Sequence, residues 1–417
     1  YETQAMEQEL RRRGHELVDF EDSADAYIIN TCSVTAVSDK KSRQRIRRCR
    51  KLNPNAVVAA CGCYVQTHAE EAAGLDVDLI AGTGDRMAFL DLLEQVGREK
   101  QVTMLDDALR RREFEVLPAG GMAERTRAML KVEDGCVNFC TYCIIPSARG
   151  AVRSLPADQA AEQAKGLARQ GYRELVITGI ELSTYGRDLP GRPDLASLIE
   201  AVCHAVPEMR VRLGSLEPRT VTEDFCARLA ALPNLCPHFH LSLQSGSDTV
   251  LARMKRKYTT QRFLESVRLL RTHFDRPALT TDLIVGFPGE TEEEFQETLA
   301  FLQRCAFAQM HIFPYSRRQG TPAASMPGQL SNAEKASRAH RGAELAQAME
   351  RSWLTGWIGQ TVPVLFEEEK DGFWRGHTPQ YIEVRVKGEH LHNQLRPVTI
   401  TAAGDSLAYG TVKEEQP

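Results

Sequence analysis

No stretch of about 18 consecutive apolar residues occurs in the 417-residue sequence, so no transmembrane helix is expected. The opening segment, Tyr1-Glu2-Thr3-Gln4, lacks an initiator methionine and the charged-then-apolar layout of a signal peptide. A dominant charge is missing too. With a net charge of -4, any affinity for nucleic acid must come from local patches. No low-complexity segment or short internal repeat is present. These absences predict a cytoplasmic protein with no membrane partner, and they make a disulfide framework unexpected. With 42% hydrophobic and 26% charged residues the composition is that of a globular protein, and the length suits two or three domains. What the chain has in number is cysteine. Eleven of them, scattered along it, raise thiolate ligation or catalysis as the question.

Three stretches differ in pattern. Across 1–100, apolar runs at 27–30, 56–60 and 77–80 read as buried strands, with helices expected at 38–52, 67–73 and 86–97. This rhythm predicts a small parallel α/β layer domain. The chain opens inside a helix-like segment at 5–13, so a first strand is expected upstream of it. A polar link follows, containing Arg110-Arg111-Arg112 and Pro118-Ala119-Gly120-Gly121.

Across 126–355, strand-like runs end near Thr178, Leu213, Leu243, Val285 and Phe313, and another spans 128–132. Helices are expected at 157–170, 222–232, 260–274 and 291–304. Six such units fall short of the eight in a closed barrel, so a partial (β/α)6 barrel is expected. A long helix at 332–355 precedes residues 356–417, where short strands at 361–366, 372–376, 381–386, 396–400 and 408–412 predict a small antiparallel β-barrel. The fold class is therefore α/β, in the order parallel layer domain, partial barrel and β-barrel.

The strongest chemical signal is Cys136-Val137-Asn138-Phe139-Cys140-Thr141-Tyr142-Cys143. Its C-x3-C-x2-C spacing can turn three thiolates onto one centre. Three cysteines without a nearby fourth suit a [4Fe–4S] cluster with one iron left open. Structural zinc needs a fourth ligand, and neither His nor Cys follows until Cys203.

Cys32 and Cys63 each follow a predicted parallel strand, so they can meet over one crevice at the carboxyl edge of the sheet. By spacing alone they are equally well a pair of core cysteines. Cys61 and Cys49 are further thiols of the same stretch. Cys203, Cys226, Cys236 and Cys305 have no partner spacing and read as core or surface thiols.

The triplet, with an aromatic residue before its last cysteine, resembles the radical S-adenosylmethionine (SAM) superfamily. That resemblance implies SAM on the open iron of a [4Fe–4S] cluster held by Cys136, Cys140 and Cys143, and one-electron cleavage of SAM to a 5′-deoxyadenosyl radical. Tyr142, Gly179, Glu181, Glu217 and Gln244 become candidate SAM-binding residues. All but Tyr142 lie at or near the carboxyl ends of predicted strands, as do Asp282, Gly286 and Tyr315.

More of the chain is similar to the methylthiotransferase family: Asn30-Thr31-Cys32, Gly62-Cys63-Tyr64, Ile144-Ile145-Pro146-Ser147-Ala148-Arg149-Gly150, residues 240–247 and 281–290, and Tyr315-Ser316-Arg317-Arg318-Gln319-Gly320-Thr321. In that family the N-terminal domain holds a second, auxiliary [4Fe–4S] cluster on three cysteines. Cys32 and Cys63 correspond to two of them. The third is expected upstream of Tyr1, which makes the auxiliary cluster doubtful in a chain that begins there; substitution by Cys61 or Cys49 is the disfavoured alternative. The resemblance further implies sulfur methylation on the auxiliary cluster, then radical abstraction of hydrogen from adenine carbon 2, with an electron donor and a sulfur source as partners.

The run Lys40-Lys41-Ser42-Arg43-Gln44-Arg45-Ile46-Arg47-Arg48-Cys49-Arg50-Lys51 carries eight basic residues and no acid. Unmixed positive charge favours a phosphate backbone, which makes Lys40, Lys41, Arg43, Arg45, Arg47 and Arg48 candidate RNA contacts. Arg253, Lys255, Arg256 and Lys257 form a smaller cluster. The C-terminal stretch resembles a TRAM domain, an RNA-binding barrel. Residues 144–150 and Gly376-His377-Thr378-Pro379-Gln380-Tyr381 are most similar to the branch acting on N6-threonylcarbamoyladenosine beside the tRNA anticodon. This implies a monomeric enzyme that reads a tRNA anticodon stem-loop and makes the 2-methylthio derivative. The rival expectations are the isopentenyladenosine branch, the ribosomal-protein aspartate branch, and an iron–sulfur RNA-binding protein without catalysis.

Overall fold

A computed structural model describes residues 1–97, 100–121 and 125–413. Residues 98 and 99 of the first expected stretch and the last four of the 356–417 stretch lie outside them. Contacts divide the chain into two compact units, and the cut differs from the three stretches read from hydropathy. The first unit takes Tyr1–Gly121, Glu133–Leu155 and Ser316–Ser325; the second takes the rest of the described chain. Hydropathy follows runs along the chain, whereas the 133–155 excursion is assigned by what it packs against.

In the first unit Ala26–Thr31 (β1), Val57–Gly62 (β2), Leu79–Ala81 (β3) and Val102–Met104 (β4) form a parallel sheet in that order. Its strands read as nearly continuous apolar runs because both faces are covered. Tyr27, Ile29, Val58 and Ala60 pack with Ile46 and Cys49 of the helix Ala36–Leu52. Ala59, Cys61, Leu79 and Ala81 pack with Met6, Leu10 and Phe89 of the helices Glu2–Arg12 and Arg86–Leu93. The single helix expected at 67–73 is two, Cys63–Thr67 and Ala69–Ala73, separated by His68 with non-helical angles (φ -135°, ψ 48°). β4 lies in what reads as a polar link, because three residues are too few to show alternation.

The second unit holds six parallel strands: Arg127–Lys131 (β5), Glu174–Thr178 (β6), Arg210–Leu213 (β7), His238–Gln244 (β8), Ala278–Val285 (β9) and Gln309–Pro314 (β10). Two three-stranded ladders, β5–β6–β7 and β8–β9–β10, are linked by the bridges Val211–Leu235 and Leu216–Leu241. The helices Ala157–Arg169, Leu195–Ala205, Glu223–Ala230, Thr260–His273 and Glu292–Cys305 alternate with them. This is the six-unit partial barrel.

The helix Asn332–Thr355, opened by a Ser331/Glu334 capping box, leads to Thr361–Lys370 (β11), Phe373–His377 (β12), Glu383–Val386 (β13), Leu395–Ala403 (β14) and Ala408–Val412 (β15). They close a barrel in the order β11-β12-β13-β15-β14. The barrel is not wholly antiparallel as expected: β13 and β15 pair in parallel. β14 turns back before β15 is reached, so the strand that closes the ring runs in the same direction as β13.

This barrel is fastened to the amino ends of β5–β7. Arg210 donates to the His377 carbonyl at 3.0 Å, and Arg212 to the Thr378 and Pro379 carbonyls at 3.2 and 2.7 Å. The guanidinium groups of Arg127 and Arg212 lie over the Tyr381 ring, 5.1 and 4.8 Å from its centroid.

Candidate active site

Cys136, Cys140 and Cys143 lie on the loop between the short strand Glu133–Asp134 and the helix Ile145–Arg149. Its two ends are tied together. Glu133 and Asp134 pair with Ser154 and Arg153, and the Cys136 N–H donates to the Gly150 carbonyl at 3.0 Å. Gly150 has φ of 77°, and a Cβ there would run into the Ala108 carbonyl. Inside the loop Phe139 adopts a left-handed φ of 49°, and the Cys143 N–H donates to the Cys140 carbonyl at 3.0 Å. The second and third cysteines are thus brought together by a tight turn. Cys140 is buried; Cys136, Cys143 and Tyr142 are half-buried.

All eleven cysteines are thiols. Among the described residues no three His, Cys, Asp or Glu side chains close on a single metal ion. A cubane cluster asks for something different, because each of its thiolate ligands binds a different iron. Three thiols on one short, pinned loop are a donor set of that kind.

Cys32 and Cys63 are set by the register of β1 and β2, which pairs Thr31 with Gly62 and so releases the next residue of each strand at the same edge of the sheet. Gly62 has φ of 101°, and a Cβ on it would collide with the Thr31 carbonyl. Cys32 is exposed and Cys63 buried. Burial pushes the Cys63 thiol above its ordinary range, while the positive charge and hydrogen bond of Arg149 pull it down. Cys61 and Cys49 are not placed as substitutes. They sit in the cores on the two faces of the sheet, where burial pushes each thiol up to about 11. Cys203, Cys226, Cys236 and Cys305 are buried as well.

Two charged residues belong to this site although sequence reading did not single them out. Arg149 ends the helix that follows the triplet. It donates to Glu2 at 2.5 and 3.1 Å and to Asp134 at 3.2 and 3.3 Å. Arg318 donates to Ser33, the residue after Cys32, at 2.5 Å, and faces Asp39 at 3.5 Å. Both lie within runs that carry the family resemblance, which was the available signal. A lone arginine in a run gives no hint of the cysteine it will face.

Gly179, Glu181, Glu217 and Gln244 lie in the second unit, at the carboxyl ends of its strands. Gly179 directly follows β6 and is half-buried. Ser183 joins the two glutamates: its N–H donates to Glu181 at 3.3 Å, and its hydroxyl accepts from the Glu217 N–H at 2.7 Å. Burial first, and then the charge of Glu217, hold the Glu181 carboxyl above its usual range. Glu217 accepts from Arg219 at 2.5 and 3.1 Å and lies 3.9 Å from Arg256. A cavity of about 410 Å³ adjoins them, lined among others by Ser183, Tyr185, Asp194, Glu217, Arg219 and Thr222. Gln244 ends β8 with a left-handed φ of 70°, three residues past the Leu216–Leu241 bridge.

The basic run is the solvent side of the helix Ala36–Leu52, and its charges are not alike. Lys40, Lys41, Arg45, Arg47, Arg48 and Lys51 are exposed. Arg43 pairs with Glu71 at 3.2 Å and Arg48 with Glu21 at 2.7 Å, while Arg45 stacks 4.6 Å from the Phe20 ring centroid. The second basic cluster is divided. Arg253 pairs with Glu294 at 2.6 Å, and the Arg256 side chain is 5% exposed and faces inward to Glu217.

Comparison with known proteins identifies the family. The Radical SAM superfamily matches residues 130–302, and a family described as "Uncharacterized protein family UPF0004" matches residues 1–82. The threonylcarbamoyladenosine tRNA methylthiotransferase MtaB of Bacillus subtilis (strain 168) is 39% identical over 412 residues, covering 97% of this chain and 91% of that protein. The protein of the same name from Aquifex aeolicus (strain VF5) is 37% identical, covering 93% of this chain and 94% of its own. A tRNA-2-methylthio-N(6)-dimethylallyladenosine synthase of Moorella thermoacetica is 36% identical over 88% of this chain and 84% of its own. Among solved structures, the radical SAM methyltransferase TsrM of Kitasatospora setae, with cobalamin and a [4Fe-4S] cluster bound, shares the fold. Its TM-score is 0.57 at 16% identity, covering 77% of this chain and 72% of that one.

Proposed function

The chain belongs to the threonylcarbamoyladenosine tRNA methylthiotransferase family of radical SAM enzymes, and from that premise we propose that it adds a methylthio group to N6-threonylcarbamoyladenosine in tRNA. The observation that carries the reading is that one compact unit presents both thiol sets, the pinned C-x3-C-x2-C loop and the Cys32–Cys63 pair at the sheet edge.

The residues present fit the cofactors of that family. Cys136, Cys140 and Cys143 would hold the [4Fe–4S] cluster to which SAM binds, and Cys32 and Cys63 would supply two ligands of the auxiliary one. When bound, clusters and SAM supply the one-electron and sulfur chemistry that replaces an unactivated C–H bond by C–S. The protein's own part is positional. Gly150 and the Cys136–Gly150 hydrogen bond hold the loop, burial of Cys140 keeps water from it, and Glu181, Glu217 and Gln244 offer polar groups for SAM. The exposed Lys40, Lys41, Arg47 and Lys51 offer positive charge to the phosphates of an anticodon stem-loop. The enzyme acts as a monomer and draws on an electron donor and a sulfur source.

Nucleoside mass spectrometry of tRNA from cells lacking the protein tests this reading. The 2-methylthio derivative of threonylcarbamoyladenosine should disappear while threonylcarbamoyladenosine itself accumulates. Loss of the methylthio isopentenyl nucleoside instead, or an unchanged nucleoside profile, would refute it.

A further inference from the structure

Arg149 follows one thiol set along the chain and acts on a member of the other. It ends the helix Ile145–Arg149, six residues after Cys143, and its positive charge acts on the Cys63 thiol. The helix Cys63–Thr67 packs against its own helix. The Thr83 hydroxyl donates to the carbonyl of the preceding residue, Ala148, at 2.6 Å, so the guanidinium is held from the backbone side as well. Its side chain is 12% exposed and shared between the carboxylates of Glu2 and Asp134. Its Nε is buried without a hydrogen-bond partner among the described residues. The same holds for Nε and Nη1 of Arg318, whose Nη2 is bound at Ser33 beside Cys32. Buried guanidinium N–H groups are costly to leave unmatched. A thiolate-ligated iron–sulfur cluster is an anion and becomes more negative on reduction, which is the charge such donors suit.

We infer that Arg149 is a positioning residue for the Cys32–Cys63 site, where its charge, tempered by Glu2, favours the reduced form of the cluster those cysteines help to hold. The inference rests on the reading of Cys32 and Cys63 as cluster ligands. Because the same side chain leaves the helix after Cys143, the loop that carries the radical SAM cysteines also sets the charge at the second thiol set.

The test is a reductive titration followed by electron paramagnetic resonance on the reconstituted full-length protein. Cys136, Cys140 and Cys143 are replaced by alanine in it, so that only the auxiliary cluster remains. In this background Arg149→Gln should move the midpoint potential to a more negative value, Arg149→Lys should restore part of the shift, and Glu2→Gln should move it the opposite way. In the converse background, with Cys32 and Cys63 replaced, the Arg149 variants should leave the remaining cluster's potential unmoved. Equal potentials across the auxiliary-cluster series, or equal shifts in both backgrounds, would overturn the inference. Should Arg149→Gln fail to fold, Arg149→Lys and Glu2→Gln decide it by the sign of their shifts. If the first background binds no iron at all, the assignment of Cys32 and Cys63 fails, and the inference with it. Iron bound at a potential indifferent to Arg149 refutes the inference alone.

Discussion

Arg212 grips Glu174 with two hydrogen bonds, at 2.9 and 3.0 Å, and neither side chain is more than 3% exposed. Arg127 and Arg210 reach the same carboxylate at 2.7 and 2.9 Å. One anion thus serves three cations at the amino ends of β5–β7, the side of a β/α barrel where residues serve stability rather than chemistry. The backbone carbonyls of His377, Thr378 and Pro379 take the outward N–H groups, so Glu174 indirectly fastens the C-terminal barrel.

Glu174→Gln leaves the buried Arg212 and the half-buried Arg127 and Arg210 short of their counter-charge. It should destabilise the protein by about 3–5 kcal/mol, the cost of breaking a buried ion pair from one side. Denaturant unfolding of the cluster-free protein measures it. A loss below about 1 kcal/mol would show that the carboxylate is not holding the three arginines.

The same residue predicts a pH dependence. Burial alone would raise the Glu174 carboxyl, but Arg212, Arg210 and Arg127 hold it well below the usual carboxylate range. A group with a depressed folded-state value contributes fully above its unfolded value, about 4.3, and loses that contribution as pH falls from there toward the folded value. Wild-type stability should therefore drop below about pH 4.3 more steeply than that of Glu174→Gln. Parallel pH profiles would contradict this.

Gly150→Ala should disrupt the triplet without touching a cysteine. The new methyl meets the Ala108 carbonyl and must also adopt a φ of 77°. Displacement of the loop is expected to cost about 1–3 kcal/mol in backbone strain and to lower iron bound per chain. Full iron loading in this variant would show that Gly150 does not position the loop. Gly171→Ala is a control for backbone strain alone, since it also has positive φ (90°) but open space around it.

Cys140→Ala should abolish SAM cleavage and remove the iron of one cluster, read as 5′-deoxyadenosine formed and iron per chain. Cys305→Ala, a buried core thiol on the helix Glu292–Cys305, should leave iron content unchanged. Residual SAM cleavage by Cys140→Ala would contradict its place as a ligand.

The basic residues Lys40, Lys41 and Arg47 should separate from the ion-paired Arg48 in RNA binding. Reversing Lys40, Lys41 or Arg47 to Glu should each reduce the salt dependence of anticodon stem-loop binding by roughly one unit of slope. Arg48→Glu should do less, since Arg48 is already paired with Glu21. Filter binding across a salt series checks the order. Equal effects would place Arg48 on the RNA as well.

Elements with their own periodicity were legible before any fold was seen. The strands ending near Thr178, Leu213, Leu243, Val285 and Phe313, the helix at 332–355 and the five-stranded C-terminal region all carry apolar repeats set by the residues beneath them. Boundaries drifted where a signal was too short, as at β4, or where one helix became two at His68. The parallel β13–β15 pair was not legible, because strand direction on ring closure is not written in alternation. Gly376–Tyr381, read for its family resemblance, is placed by the structure against Arg210 and Arg212, and nothing local to that segment announces it.

The sequence by itself determined the candidate ligand set of the C-x3-C-x2-C loop. Cys136, Cys140 and Cys143 are close along the chain, and three thiols within eight residues with no near fourth restrict the chemistry whatever surrounds them. Tertiary structure alone decided that Cys32, 104 residues before Cys136, shares a compact unit with that loop. It also decided that Cys61 and Cys49 are buried in the cores on the two faces of the sheet, and that Arg149 is shared between the carboxylates of Glu2 and Asp134. The physical reason is that strand register and helix packing bring side chains together across distances that no local pattern encodes. A single arginine or a single cysteine carries no periodicity from which its partner could be read.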